Sequence, residues 1–347
     1  MSMQVSELAD QDTAFRWDEW VQRAPEATVY HLAGWKAVME RTFGHRTHYL
    51  LATEGTEILG VLPLLHIKSR LGGHFLTTLS GGICSQDVQA AGALLARAKE
   101  LVRIHKAKYL ILRDSYQKWE DPDLVTNEDH CTLQARLSPD WEQVVKEIKR
   151  KERQLTHQGL RAGAEVVSGP EELERFYPVY ARAMRDKGTP TPGIRFFHNI
   201  LAQFPTHMKL LAVRHDGQVL GGGFIAPFRD TVHCAWAGVQ REFRSFRPSH
   251  LLYWETMRFG SANGFQRVDF GRSRWGSGTF AFKKSWGGEP RQIYQQYYLN
   301  GIAQPPAVGN SREEHTDYRL FVRIWMRLPL PLTEVLGPQL RKRMPFG

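Results

Sequence analysis

Two apolar segments separated by a tight turn, Lys209–Arg214 and Val219–Ala226, constrain the fold of this chain more than any other feature. The residues between them include Asp216-Gly217, a pair that favours a two-residue connection between antiparallel strands. A third segment with strand character, Thr231–Ala237, follows directly. The second half of the chain is therefore predicted to contain an antiparallel sheet.

Helices are predicted on either side of these strands in the sequence. Ser249–Asn263 has a helical pattern, with Pro248 at its start and Gly264 at its end. The other elements predicted in this half are a helix at Leu173–Met184 and strands at Arg267–Phe270 and Ile293–Leu299. This alternation of helices and strands is typical of an α/β fold with a mixed sheet.

The first half shows the same alternation. Its predicted elements are helices at Trp35–Thr42 and Val88–Ala107 and strands at Tyr49–Thr53, Ile58–Leu65 and Tyr109–Arg113. A basic helix over Trp141–Leu160 marks the predicted junction. The 347 residues are enough for two domains, which we place at 1–160 and 161–300, each with a mixed, largely antiparallel sheet flanked by helices.

Residues 301–347 are predicted to form a linker followed by a basic amphipathic tail. Arg319, Arg323 and Arg327 recur every four residues with apolar side chains on another face, and Pro329 ends the helix. Such a helix can make peripheral contact with an anionic membrane. It can equally pack against its own protein with the arginines outward, and both interpretations stay open.

A net charge of +10 makes polyanions candidate partners: RNA, including tRNA, a nucleotide-linked substrate or an anionic membrane. No apolar run approaches the roughly 20 residues that cross a bilayer, and the N-terminus lacks the pattern of a secretory signal. We expect a cytoplasmic protein. The three cysteines are far apart in the sequence, so no disulfide framework is predicted. The histidines form no H-E-x-x-H pattern, so no metal site is predicted.

Chemistry is concentrated in residues 269–287, which read D-F-G-R-S-R-W-G-S-G-T-F-A-F-K-K-S-W-G. Glycines in this segment permit close approach of the backbone to a ligand, and arginines and lysines bring positive charge. The pattern predicts a glycine-rich loop that binds an anionic ligand. A phosphate loop of the G-x-x-x-x-G-K-[ST] type is absent from the sequence.

The segments D-F-G-R-S and G-S-G-T-F-A-F-K-K-S-W-G resemble the FemAB family. Further motifs agree, including Met184-Arg185-Asp186-Lys187-Gly188-Thr189-Pro190 and Gly60-Val61-Leu62-Pro63-Leu64, which look like a bacterial subgroup associated with exosortase (PEP-CTERM) and exopolysaccharide systems. The resemblance covers nearly the whole chain. It implies two tandem GNAT-like domains, the second of which carries the family motif.

The resemblance implies an acyltransferase that forms an amide bond. The donor would be aminoacyl-tRNA or acyl-CoA, used as a co-substrate with no bound cofactor. The acceptor would be an amine of a cell-envelope precursor such as that of peptidoglycan, of a glycan or of an amino acid. The family's Phe-Lys pair corresponds to Phe282-Lys283, where the lysine is thought to stabilise charge on the ester carbonyl.

Asp269, at the end of a predicted buried strand, is our candidate to take the proton from the amine, ahead of His250 and Glu255. Two alternatives stay open: Asp269 is a structural carboxylate that caps the following loop, or a phosphate or hydroxyl of the substrate takes the proton. The residues predicted to bind substrate are Arg272, Ser273, Gly278, Trp286, Tyr253 and Arg247. Acyl-CoA enzymes of the GNAT type carry a [QR]-x-x-G-x-[GA] turn that binds pyrophosphate through backbone N–H groups. The corresponding residues 244–249 have neither glycine, so arginine side chains would have to bind the phosphates.

Two other functions are compatible with the sequence. One is a non-catalytic assembly or binding protein of an exopolysaccharide or exosortase system, docked by its tail. The other is RNA binding without chemistry, which rests on charge alone. The Phe282-Lys283 pair favours the enzyme, and we expect a monomer because two domains can pack on each other.

Overall fold

The structure, a computed structural model, describes residues 2–69, 73–306 and 316–344. Its strands are β1 Met3–Glu7, β2 Arg46–Glu54, β3 Glu57–Ser69, β4 Gly73–Ser80, β5 Cys84–Ser85, β6 Tyr109–Ser115, β7 Leu124–Asn127, β8 His130–Arg136, β9 Glu165–Ser168, β10 Lys209–His215, β11 Gln218–Phe228, β12 Thr231–Val239, β13 Arg267–Arg274, β14 Glu289–Gln292 and β15 Tyr294–Leu299. Its α-helices are α1 Gln11–Arg23, α2 Gly34–Phe43, α3 Val88–Ile104, α4 Trp141–Glu147, α5 Arg150–Arg161, α6 Leu173–Arg185, α7 Ile194–Gln203, α8 Pro248–Ala262, α9 Gly278–Lys284, α10 Thr316–Arg327 and α11 Leu330–Arg341.

The described residues form two units. The first comprises residues 2–129 with the gap noted above, 292–306 and 340–344, and the second comprises 130–291 and 316–339. The predicted α/β architecture with mixed sheets and flanking helices is confirmed. The unit boundaries differ from the predicted domain limits at 160 and 300, because β8, α4 and α5 belong to the second unit.

The sheet of the first unit has the strand order β1-β2-β3-β4-β6-β15-β7, with β5 paired to β3. Its pairs are antiparallel except for β4 and β6. Helix α3 covers this sheet with a row of buried alanine and leucine side chains, among them Ala90, Leu94 and Leu101. The helix begins at an Asp87 cap, whose carboxylate accepts from the Ala90 amide at 2.6 Å.

The strand predicted at Ile293–Leu299 is present as β15, but it lies in the sheet of the first unit. It pairs with β6 on one side and β7 on the other. An apolar alternation predicts that a segment is a strand, yet it does not specify the neighbouring strand. The chain therefore returns to its first sheet after the second one is complete.

The sheet of the second unit has the order β14-β8-β13-β12-β11-β10-β9. The predicted hairpin is present, and Asp216 and Gly217 have φ angles of 47° and 75°, as a two-residue turn of this kind requires. Strands β12 and β13 are parallel. Helix α8 packs Leu251, Leu252 and Met257 into the core of this unit.

Three predicted elements have different bounds in the structure. The helix expected over 141–160 is two helices, because Ile148 has an extended backbone (φ −77°, ψ 128°). The loop expected after Phe270 is instead the rest of β13 and the helix α9. Finally, Pro329 ends α10, but α11 begins at Leu330, since a proline such as Pro331 is tolerated in a first helical turn.

Candidate active site

Strands β12 and β13 separate at the centre of the second unit and leave a cavity between them. They pair in parallel only at Thr231–Arg267, Val232–Val268 and His233–Asp269. Beyond this point, residues 234–237 of β12 and 270–272 of β13 line a cavity of about 350 Å³. The divergence exposes strand backbone to a space that a ligand can enter.

Lys283 lies in the wall of this cavity. Its side chain is 8% exposed, and its ammonium donates to the carbonyl oxygens of Gly271 at 2.8 Å and Arg272 at 2.9 Å. Burial lowers the pKa of Lys283 to about 8, although Cys234 and Asp269 act in the opposite direction. A lysine ammonium has three N–H donors, so two carbonyl contacts leave one donor for a ligand.

Asp269, 2% exposed, has its carboxylate hydrogen-bonded from several sides. It accepts from the Gly271 amide at 2.7 Å and from Gln134 Nε2 at 3.1 Å, and the Thr132 hydroxyl donates to it. Burial acts to raise the pKa of Asp269, but His233 and these hydrogen bonds outweigh it and lower the pKa. The carboxylate is thus held ionised, and it fixes the turn of the backbone at Gly271.

A second cavity of about 370 Å³ lies at the start of α8. Three arginines line it, namely Arg241, Arg244 and Arg247. The first two side chains lie in the short 3₁₀ helix Arg241–Phe246 that precedes α8. This concentration of guanidinium groups is suited to phosphate, which arginine binds with charge-assisted hydrogen bonds.

The backbone at this helix start differs from a glycine-rich phosphate turn. Arg247 has a left-handed conformation (φ 54°), and Pro248 has no N–H group. The amides of His250 and Leu251 donate to the Arg247 carbonyl at 2.9 and 3.1 Å. Side chains therefore supply most of the positive charge that this cavity offers an anion.

His250 lines the arginine cavity and is paired with a buried carboxylate. Its Nε2 lies 2.9 Å from Glu152 Oε2. Burial lowers the pKa of His250, while Glu152 opposes this change. The ring also contacts Phe282 edge-on, with centroids 5.3 Å apart. His250, a secondary candidate in the sequence, thus has the surroundings of a proton acceptor.

Lys187 was not predicted as a site residue, yet it lines both cavities. Burial of its ammonium and the nearby charge of Arg241 lower its pKa. It belongs to the M-R-D-K-G-T-P segment, which begins in the last turn of α6 and matches the family resemblance. The motif is the sequence signal that could have identified Lys187, but nothing in the sequence indicates that this lysine lies beside the arginines.

Three of the predicted binding residues lie in the cavity walls. Arg247 lines the arginine cavity, and its Nε donates to Gln158 Oε1 at 3.1 Å. Tyr253 and Arg272 line the cavity between the strands. The Tyr253 ring is stacked on Phe270 with centroids 4.8 Å apart, so one of its faces is already occupied by protein.

The other three predicted binding residues do not line either cavity. Trp286 is 0% exposed and packs in the core of the second unit, because an indole after an amphipathic helix is readily buried. Ser273 is buried, and its hydroxyl has no partner among the described residues. Gly278 is the exposed first residue of α9, and no described residue approaches its backbone closely enough to require a glycine there.

The comparisons with known proteins agree with this architecture. Residues 142–284, which lie within the second unit, match the model of the acetyltransferase (GNAT) domain family. No curated protein sequence matches the chain. Within the described residues, no helix is both long and apolar enough to span a membrane.

Solved structures share the fold over most of the chain at low sequence identity. FemX has a TM-score of 0.67 with 17% identity over 86% of this chain and 97% of its own. A tandem GNAT protein from the clavulanic acid biosynthesis pathway has a TM-score of 0.53 with 14% identity over 87% and 100%. L-PGS from Bacillus licheniformis has a TM-score of 0.53 with 10% identity over 85% and 96%. The tandem GNAT-like fold and the resemblance to FemAB proteins are confirmed.

Proposed function

We propose that the second unit transfers an acyl group from a phosphate-bearing donor to an amine. One observation carries this proposal: the arginine cavity and the cavity between the strands lie in the same unit and share Lys187 in their walls. The first suits the phosphates of a donor. The second suits its acyl end, because Lys283 is in its wall.

The proposed reaction forms a C–N bond and breaks the bond from the acyl carbon to the leaving oxygen or sulfur. Attack by the amine places negative charge on the carbonyl oxygen, which the remaining N–H of Lys283 would stabilise. Such a donor in a water-poor site is worth about 10²–10³ in rate. The ammonium is already held by two carbonyls, so little reorganisation is needed when the charge develops.

The proton released by the amine is assigned to His250. With Nε2–H donating to Glu152, the neutral imidazole presents Nδ1 as its acceptor nitrogen. His250 would then return the proton to the departing oxygen or sulfur. Asp269, our first candidate from the sequence, holds the Gly271 turn instead, since its oxygens already accept hydrogen bonds from three groups.

The proposal also covers the chemical class of the acyl donor and of the amine acceptor. Aminoacyl-tRNA and acyl-CoA both carry phosphates, and the arginines would bind either. The amine would come from a cell-envelope precursor, a glycan or an amino acid, and a role in exopolysaccharide or exosortase systems follows the subgroup that the sequence resembles.

The test is to incubate the purified chain with acetyl-CoA or with aminoacyl-tRNA and a panel of amines, and to detect amide products by mass spectrometry. The panel contains an amino sugar, a peptidoglycan stem peptide and free amino acids. Product from one donor, absent with Lys283→Ala, supports the proposal and identifies the donor class. If neither donor gives product and neither binds, the proposal is wrong.

We also propose that the C-terminal helices make peripheral contact with anionic lipid. Large apolar side chains are exposed along them, at Leu320, Ile324, Met326, Leu332, Val335 and Leu336. Arg323 and Arg327 on α10 are exposed as well, and this combination is typical of helices that lie on membranes. Co-sedimentation with vesicles containing phosphatidylglycerol should fall with Ile324→Glu, whereas binding that is equal on neutral vesicles would contradict the proposal.

A further inference from the structure

Three histidines that are far apart in the sequence meet in the first unit, away from the candidate active site. His48 lies on β2, His66 on β3, and His105 directly follows α3. In the antiparallel pair, His66 is opposite Arg46, so His48, two residues further along β2, is its diagonal neighbour on the same face. One ring nitrogen from each histidine lies within 4.8 Å of the other two.

Four of the six ring nitrogens of this cluster lack hydrogen-bond partners among the described residues. These atoms are His48 Nε2, both nitrogens of His66, and His105 Nε2. His48 and His66 are 1% and 4% exposed. A buried polar atom without a partner is destabilising, so four such atoms at one place indicate a site that a ligand would complete.

Glu7 orients the first of these rings. Its Oε1 lies 3.0 Å from His48 Nδ1, which leaves the lone pair of Nε2 directed away from the carboxylate. A carboxylate behind an imidazole is the usual support of a histidine that binds a metal.

Charged groups around the cluster have opposite signs. Arg46, Lys68 and His74 add positive potential, but all three are exposed and therefore screened by solvent. Glu7 contributes the compensating negative charge next to the rings. The stacking of His66 on His105, with centroids 4.7 Å apart, holds two of the three rings together without any ion.

We propose that His48, His66 and His105 bind a divalent transition-metal cation of the zinc class. Three imidazoles are a common ligand set for zinc, with Zn–N distances of about 2.0–2.1 Å. Contraction of the cluster by less than ~1 Å per ring would reach such distances. The ion would join two strands of the sheet to the end of α3. The sequence did not predict this site because its ligands have no regular spacing.

The experiment uses the full chain freed of metal by a chelator and titrated with Co²⁺, whose visible absorption reports tetrahedral binding, and with Zn²⁺ by competition. We expect one equivalent to bind and the melting temperature to rise with Zn²⁺. His105→Ala, at a half-buried helix end, and His66→Ala should each abolish both effects. His198→Ala, on the exposed ion pair with Glu174, is the matched control and should retain them.

The outcomes separate clearly. If the wild-type chain binds no ion, or if His105→Ala still binds one equivalent with unchanged absorption, the proposal is overturned. His66→Ala is interpreted together with its circular dichroism, and His105→Ala decides the question if the His66 variant does not fold. Acyl transfer is not measured here, so failure of the metal site leaves the proposed function untouched.

Discussion

Lys283 and Asp269 are linked because both side chains form a hydrogen bond with the backbone of Gly271. The Lys283 ammonium donates to the Gly271 carbonyl at 2.8 Å, and the Asp269 carboxylate accepts from the Gly271 amide at 2.7 Å. The position of the ammonium therefore depends on the carboxylate. In the proposed reaction Lys283 is the catalytic residue and Asp269 a positioning residue, and these two proposed roles predict different mutant behaviour.

Lys283→Ala should lower kcat for amide formation by about 10²–10³, because it removes the donor that stabilises the oxyanion. Lys284→Ala is the matched control, since its side chain is the exposed neighbour on the same helix. Steady-state kinetics with the active donor measures both. If Lys283→Ala kept its function in cells and removal of the tail abolished it, the chain would act as a non-catalytic assembly protein.

Asp269→Asn should lower kcat more than it changes KM, because the carboxylate does not line the substrate cavities. It should also change the pH dependence of stability. The folded pKa of Asp269 is below its unfolded value of 3.8, so its contribution is present above about pH 4 and is lost as the pH falls through the folded pKa. Urea unfolding between about pH 5 and 3 should show a steeper loss in the wild type than in the variant. An equal slope would contradict this role.

The pKa of about 8 for Lys283 predicts an alkaline limit to activity. The ammonium is needed, so kcat should fall as the pH rises through about 8, well below the usual lysine pKa of 10.5. Lys283→Arg keeps the charge to higher pH, and any activity it retains should extend further into the alkaline range. A wild-type profile that stays level to pH 10 would exclude a catalytic ammonium.

Arg241→Ala and Arg244→Ala should each raise the donor KM by about 10- to 100-fold, since a hydrogen bond from a guanidinium to a phosphate is worth roughly 1.5–3 kcal/mol. The control is Arg258→Ala, whose guanidinium is paired with Glu255 on α8 and does not line the arginine cavity. Donor titrations at two salt concentrations make the comparison. An equal effect of all three substitutions would indicate general electrostatics instead of a phosphate site.

Much of the fold could be predicted because local rules decide it. Asp216-Gly217 specifies a hairpin, and Pro248 and Gly264 mark the start and the end of α8. The partner of β15, the position of Lys187 in the wall of the arginine cavity, and the burial of Trp286 depend on distant residues. The histidine cluster has the same character: its members lie in β2, in β3 and after α3, so only the folded sheet brings them together.

Gly271 and Gly278 both belong to the motif, but only Gly271 has a backbone conformation that favours glycine. Gly271 has φ 76°, and a Cβ atom there would lie 3.3 Å from the Cys234 carbonyl oxygen. Alanine in this left-handed conformation costs about 1–2 kcal/mol. A Cβ atom on Gly278 would meet nothing within 4 Å, and alanine favours the helix by roughly 0.5–1 kcal/mol over glycine. Gly271→Ala should therefore lower the urea midpoint and, by moving the carbonyl that holds Lys283, also lower kcat. Gly278→Ala should leave both equal to or above the wild type. Loss of activity in a stable Gly278→Ala variant would mean that this glycine contacts substrate after all, as the sequence predicted.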